Sequence, residues 1–414
     1  MHILLIHQAF AALDEPGGTR HYELARYLAQ RGRRVTIIAS PVSYLTGQTS
    51  PTPQPPPSPS QAMEREGVPK AGEGEVRILR TATYHALHRS FVHRVFVFFS
   101  FMLSSFVVGL GVKNVDLVWG TSPPIFQGWT AWVLARLKGV PFLFEVRDLW
   151  PTFAIAVGVL TNKTIIHLSE WLERFLYRHA DRVMVNSPGF IMHVKSRGAK
   201  RVELVPNGAD PEMFDPADNG AAFRTSHRLA DKFVVLYAGA HGLSNDLGVV
   251  LEAARLLADR PQVRIVFLGD GKEKPHLQAQ AAAMGLNNVL FLPPVPKTEM
   301  AAALAGADAC LAILKPVEEY KSTYPNKVFD YMAAGRPVVL AIDGVIREVI
   351  EAAGCGIFAQ PGDPVALANV IRTLASDPAR SREMGLKGRR YVESHFSRSM
   401  LAEKLAHILE EMTT

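Results

Sequence analysis

Strand-length apolar runs recur along this chain in two series, each run followed by a turn rich in glycine or proline and a helix-length segment. The first series reads HILLI at residues 2–6, then RRVTIIAS, VDLVWG, PFLFEVR, RVMVNS and RVELVPN. The second reads KFVVLYAGA, RIVFLGDG, VLFLPPV, ACLAIL, RPVVLAI and GIFAQPG. Short runs that are apolar throughout suit strands buried on both faces, with helices as the covering layers, so the pattern predicts two parallel, doubly wound α/β sheets. At 414 residues the chain exceeds what one core accommodates. The expected domains are residues 1–205 and 206–395, joined at the turn-rich VPNGADPEMFDP and followed by a periodic helical segment, 396–414.

Three features bound the class of protein. Residues 48–75 are dense in Pro, Ser, Gly and Glu, cannot bury enough apolar surface to offset their ordering entropy, and are read as a mobile loop inserted in the first domain. The N-terminal apolar run is strand length and lacks a basic leader, and Cys310 and Cys355 lack metal spacing, which together point to a cytosolic protein. A net charge of +6 and a pI near 9.2 favour anionic partners, but Lys and Arg are scattered without interleaved aromatics, so no nucleic acid is expected.

The segment 91–112 contains an unbroken run of apolar residues and serines from Val95 to Leu110, flanked by Arg94 and Lys113. Sixteen residues fall short of the roughly 20 that a spanning helix needs. A spanning helix, a helix buried against the sheet and an interfacial helix are all compatible with it; the reading adopted is peripheral contact with a membrane.

Two parallel sheets facing one another place the strand ends and the following helix starts around one cleft, a setting suited to a nucleotide-like anion. Three glycine-rich loops fall at such points: Gly17-Gly18-Thr19, Gly239-Ala240-His241-Gly242 and Gly269-Asp270-Gly271-Lys272. Each also fits a plain turn. The chain carries no HExxH, G-x-S-x-G or GxxxxGK[ST] motif and no aspartates two apart, so neither a metal nor a cofactor is expected and cationic side chains must meet the phosphate charge. In YPNKVFDYMAAGRPVV a helix over 326–334 puts Lys327 and Asp330 on one face, either as a surface ion pair or as a diphosphate and ribose site.

The stretches PGGTRHYELARYLAQRGRRVTIIAS, FEVRDLWP, VPNGAD, YAGAHGL and YPNKVFDYMAAGRPVV, spread over nearly the whole chain, resemble the retaining glycosyltransferases of family 4, in particular the subfamily similar to L-fucosamine transferases of bacterial surface-polysaccharide assembly. The resemblance implies a GT-B fold of two Rossmann-like domains, the first for the acceptor and the second for the nucleotide sugar, with the final helix crossing back onto the first. It also implies transfer of a sugar, an N-acetylated deoxyhexosamine such as L-fucosamine, from a UDP-sugar to a polyprenyl-diphosphate-linked saccharide at the inner face of the cell membrane. The family's two-glutamate motif falls on Ser322 and Asp330, with Asp330 on the ribose and donor contacts moving to Tyr324, Pro325, Asn326 and Lys327. Its basic diphosphate pair falls on His241 and Asn245, so Lys327 and Lys315 supply the charge, while Gly17, Gly18, Gly239 and Gly271 approach the phosphates. Glu145, Arg147 and Asp148 fall where the family places a residue beside acceptor and donor sugar, with structural pairing beneath the cleft as the other reading. Two alternatives stand beside transfer: a catalytically silent GT-B protein that binds lipid or a partner, and a UDP-sugar 2-epimerase.

Overall fold

The computed structural model describes residues 1–42, 74–84 and 91–414. The loop expected at 48–75 therefore lies outside the described residues apart from Gly74 and Glu75. In the N-terminal half the elements are β1 (His2–Ile6), α1 (Arg20–Gln30), β2 (Arg34–Ala39), β3 (Val76–Arg80), α2 (Phe91–Gly111), β4 (Leu117–Ser122) and α3 (Phe126–Lys138). They continue with β5 (Phe142–Val146), α4 (Thr152–Ala156), α5 (Lys163–His179), β6 (Arg182–Val185), α6 (Ile191–Ser196) and β7 (Val202–Leu204). The strands pair in parallel in the order β3-β2-β1-β4-β5-β6-β7.

Alternation along β1 explains the two layers. Ile3 and Leu5 join Leu24 and Leu28 of α1 in one core, whereas Leu4 and Ile6 join Phe101 of α2, Leu134 of α3 and Leu176 of α5 in another.

The C-terminal half repeats the plan with α7 (Ala221–Ser226), β8 (Phe233–Ala238), α8 (Leu247–Leu256), β9 (Val263–Leu268), α9 (Lys274–Ala283), β10 (Val289–Leu292), α10 (Lys297–Ala305) and β11 (Ala309–Ile313). It closes with α11 (Asn326–Ala333), β12 (Val338–Ala341), α12 (Val345–Ala353), β13 (Gly356–Phe358), α13 (Pro364–Ser376), α14 (Pro378–His395) and α15 (Arg398–Thr413). Its sheet runs β10-β9-β8-β11-β12-β13, the doubly wound order, in which a ligand crevice forms where the strand order reverses.

The chain crosses between the halves twice, and the crossings touch. Ala209 N–H donates to Phe396 O, and Arg398 N–H donates to Ala209 O at 2.7 Å. α15 then lies on the N-terminal sheet, where Leu401, Leu405 and Leu409 are buried with Ile3, Leu5 and Leu24. A second contact lies at Gly189, where a Cβ would sit 2.5 Å from Ser322 O. Ser187 Oγ donates to the same carbonyl.

Candidate functional site

Both sheets aim the carboxyl ends of their strands at one gap, and the residues that end β8, β9 and β11 set its C-terminal wall. After β8 the chain turns through Gly239, and after β9 through Gly269 and Gly271, all three with positive φ. The two loops lie backbone against backbone: a Cβ on Gly269 would fall 1.9 Å from Gly239 O, and one on Gly271 2.5 Å from His241 O. Only glycine permits that approach. His241 N–H donates to Asp270 O at 2.8 Å, locking the loops together.

Lys327 reaches this pair of loops from the first turn of α11. A Cβ on Gly239 would stand 2.8 Å from Lys327 Nζ, and the ammonium lies 3.9 Å from the centroid of the Tyr237 ring. Desolvation lowers the Lys327 pKa to about 7. Pro325 occupies the N-cap of α11, and no side chain caps that helix start. Gly17 and Gly18 are exposed on the opposite side of the gap; Gly17 takes positive φ and has no room for a Cβ beside Ala11, whereas Gly18 has open space.

His241 corrects one expectation. Its ring is fully buried among Tyr237, Phe267 and Phe291, and neither ring nitrogen has a hydrogen-bond partner. Burial, reinforced by Lys274 and Lys327, lowers its pKa to about 4, so the side chain is neutral and does not supply the cation expected at this motif position. Asn245 Nδ2 donates to Ala240 O, so that side chain belongs to the loop's own framework, and the Lys315 backbone N–H donates to Ser244 O.

Asp330 forms no ion pair with Lys327. Its Oδ1 lies 2.6 Å from Nζ of Lys297, the first residue of α10. Desolvation raises the Asp330 pKa against the pull of Lys297. A second buried pair sits alongside: Arg398 Nε donates to Glu23 Oε2 at 2.6 Å, and Arg398 also reaches Gly208 O and Asn326 Oδ1. Burial opposes the Glu23 charge, but Arg398 and Lys297 prevail and hold its pKa at about 2. Helices from both halves thus meet in one charged cluster, which sequence spacing could not reveal because Glu23 lies hundreds of residues from the other three.

Ser322 and Tyr324 also depart from expectation. The Ser322 hydroxyl donates to Glu319 O within its own turn while its carbonyl meets the N-terminal half, so it offers no open donor-sugar contact. The Tyr324 ring packs between Phe329 and Phe396, and its carbonyl accepts from Asn207 Nδ2 at 2.7 Å. Asn326 Nδ2 faces Asp330 Oδ2 at 3.4 Å.

On the N-terminal wall, Glu145 lies beneath the gap rather than in it. It is fully buried, and its oxygens accept from Arg20 Nε at 3.2 Å, His21 Nε2 at 2.7 Å and Trp119 Nε1 at 3.1 Å. Burial favours its neutral form, yet His21 and Arg20 outweigh that and bring its pKa to about 2. Saturated in this way, it positions its neighbours and cannot touch a substrate.

Arg147 and Asp148 follow β5 and stay nearer the surface. Arg147 Nη1 lies 3.5 Å from His7 Nε2, and His7 Nδ1 lies 2.8 Å from Thr121 Oγ1. This contact bridges the ends of β1 and β4, where the N-terminal strand order reverses. Asp148 is exposed at the lip, with Tyr320 of the other half near enough to feel its charge. The walls of the gap strip part of its water and raise its carboxyl although Arg147 pulls it down, and its exposure keeps that rise to no more than about 6.

Comparisons agree with this architecture. Residues 17–208 match the family described as a glycosyl transferase 4-like domain, and residues 232–377 match glycosyl transferases group 1. The chain is 30% identical to a D-inositol 3-phosphate glycosyltransferase of Streptomyces avermitilis over 64% of this chain and 60% of that protein. It therefore spans less than two thirds of that relative. It is 24% identical to WcaI of Escherichia coli strain K12, a glycosyl transferase named for colanic acid biosynthesis, over 84% of this chain and 86% of the relative. HepE of Anabaena, solved with UDP-glucose, superposes with a TM-score of 0.70 at 17% identity over 99% of this chain and all of its own. With a 4-like domain and a group 1 domain in succession on two facing doubly wound sheets, the chain belongs to the glycosyltransferases of the GT-B type.

Proposed function

We propose that this protein is a retaining glycosyltransferase that moves a sugar from a UDP-sugar to a lipid-linked saccharide during surface-polysaccharide assembly, at the inner face of the cell membrane. The observation that carries the reading is Lys327, drawn from water and held against the glycine loops where the C-terminal strand order reverses. A diphosphate seated on the uncapped start of α11 supplies the anion that this ammonium lacks. UDP as the nucleotide is supported by the complex of HepE with UDP-glucose, and polysaccharide assembly by the likeness to WcaI.

In this reading Arg147 and Asp148 face the acceptor from the N-terminal lip, and Asp330 reaches the ribose once Lys297 shares it. The donor C1–O bond to phosphate breaks as the acceptor oxygen bonds to C1 on the same face. The acceptor proton passes to the departing phosphate, whose charge Lys327 neutralises. The donated sugar is an N-acetylated deoxyhexosamine such as L-fucosamine. The epimerase alternative requires two carboxylates in the gap, and the burial of Glu145 removes one of them.

The test is UDP release from a panel of UDP-sugars with a polyprenyl-diphosphate-linked saccharide as acceptor. Turnover that disappears in Lys327→Met supports the reading; no release from any donor rejects it. Calorimetry with UDP addresses the silent alternative, which Ser322 at the first glutamate position favours. Binding that is lost in Asp330→Ala supports a working donor site.

A further inference from the structure

The outer layer of the N-terminal sheet is apolar where a helix layer is ordinarily polar. α2, α3 and α5 lie side by side on that face, and α3 packs against both neighbours. Phe96, Leu103 and Val107 of α2, Leu137 of α3, and Leu168 and Trp171 of α5 are each more than half exposed. Along α2 the spacing of 96, 99, 103, 107 and 110 is one continuous stripe. Half-buried aromatics fill the space between helices: Trp129 and Trp132 lie 5.1 Å apart, Trp129 meets Phe175 at a tilt and Trp132 meets it edge-on, and Phe175 stacks on Trp171. Four of the five tryptophans of the chain lie on this face or its edge, the fifth being Trp119 in the core.

Charge on these three helices is mostly positive. α2 and α3 contain no acid, and the two acids of α5, Glu170 and Glu173, are paired with Arg174 and with His193 and Arg197. Arg136 and Lys138 donate to carbonyls at the ends of α5 and α2, and Lys113 and Arg178 stand exposed beside them. A wide apolar face rich in tryptophan with a cationic rim matches the headgroup and upper acyl region of an anionic bilayer. Among the described residues no helix is long and apolar enough to cross a membrane, so the contact lies in the interface plane.

The face also leads to the site. Phe99 lies 5.1 Å from Phe126, and Phe126 lies 6.1 Å from Trp150, two residues beyond Asp148. We infer that α2, α3 and α5 together form a docking face for an anionic bilayer, with the Phe99–Phe126–Trp150 track at the point where an amphiphilic acceptor passes from lipid to the cleft. This rests on the proposed transfer for the word acceptor and extends the expected contact from 91–112 to three helices; the docking itself is independent of turnover.

The experiment uses the full chain with vesicles of phosphatidylglycerol and phosphatidylcholine, or phosphatidylcholine alone, carrying lipids brominated in the upper acyl chain. Tryptophan quenching by the anionic vesicles, at least tenfold weaker binding in the α5 variant Leu168→Glu/Trp171→Glu and in the α2 variant Leu103→Glu/Val107→Glu, and a fall with added salt are expected. Unchanged thermal unfolding and unchanged UDP calorimetry identify variants that remain folded. Absence of quenching, or an α5 variant that binds vesicles like the unmodified chain, overturns the inference. A dimer in sedimentation that the same substitutions dissociate also overturns it, because a second copy then covers the face. Loss of sugar transfer with docking intact sinks only the proposed reaction.

Discussion

Lys297 Nζ stands 2.6 Å from Asp330 Oδ1, so the acid of the YPNKVFDYM stretch is held by a lysine thirty-three residues upstream and not by Lys327 on its own helix. Because Lys297 is buried and Asp330 nearly so, removing one partner strands the other's charge. Lys297→Met is expected to lower unfolding free energy by about 3–5 kcal/mol, measured by urea denaturation. A loss below about 1 kcal/mol means the pair is solvated.

Lys327 should couple nucleotide binding to protons. Its folded pKa of about 7 lies below the ordinary 10.5, so between those values the unfolded chain binds more protons and stability rises with pH. The cost of burying the charge is fully present below pH 7 and fades above it. A bound diphosphate favours the ammonium, so UDP binding above pH 7 takes up as much as one proton and weakens by up to about tenfold per pH unit. Calorimetry in buffers of different ionisation enthalpy measures the uptake; a buffer-independent enthalpy at pH 8.5, on the order of one unit above the folded value, contradicts it.

Asp148 should set an acid limb. With its exposed carboxyl raised above the ordinary 3.8 and no higher than about 6, kcat/KM is expected to fall within that range as the group protonates. Asp148→Asn should flatten the limb and lower the plateau by about 10–100-fold. A limb that persists unchanged in the variant assigns it to another group.

Gly189 marks a second place where the halves touch. Alanine there places a Cβ 2.5 Å from Ser322 O, with backbone on both sides and no flexible side chain to yield. Gly189→Ala is expected to cost about 1–3 kcal/mol and to open the contact, seen as a larger radius of gyration in small-angle scattering. An unchanged scattering profile with full stability shows that the halves already part in solution.

The fold was legible in the sequence because its signals are local. Apolar runs such as HILLI and FVVLYA announce doubly buried strands, and glycines 239 and 271 announce the tight loops that follow strands. Lys327 and the helix carrying it were legible for the same reason, since the neighbours Pro325 and Asn326 start that helix. The wide apolar face was legible only in part: the Phe-rich segment stood out, whereas the α5 stripe spreads over single residues at helical spacing.

Partnership of charges between separate segments was decided by the tertiary structure alone. Glu145, three residues from Asp148 in the chain, ends buried between Arg20 and His21 while Asp148 stays at the lip, because alternate residues of a strand and its exit point to opposite sides. Asp330 acquires Lys297, and Glu23 acquires Arg398, only when helices distant in sequence close around the gap. The sequence by itself determined which segments become strands, turns and helices, since backbone sterics and apolar periodicity act over a few residues. Which ionisable groups face the gap depended on packing between segments, since desolvation and Coulomb attraction act on distances that spacing along the chain does not encode.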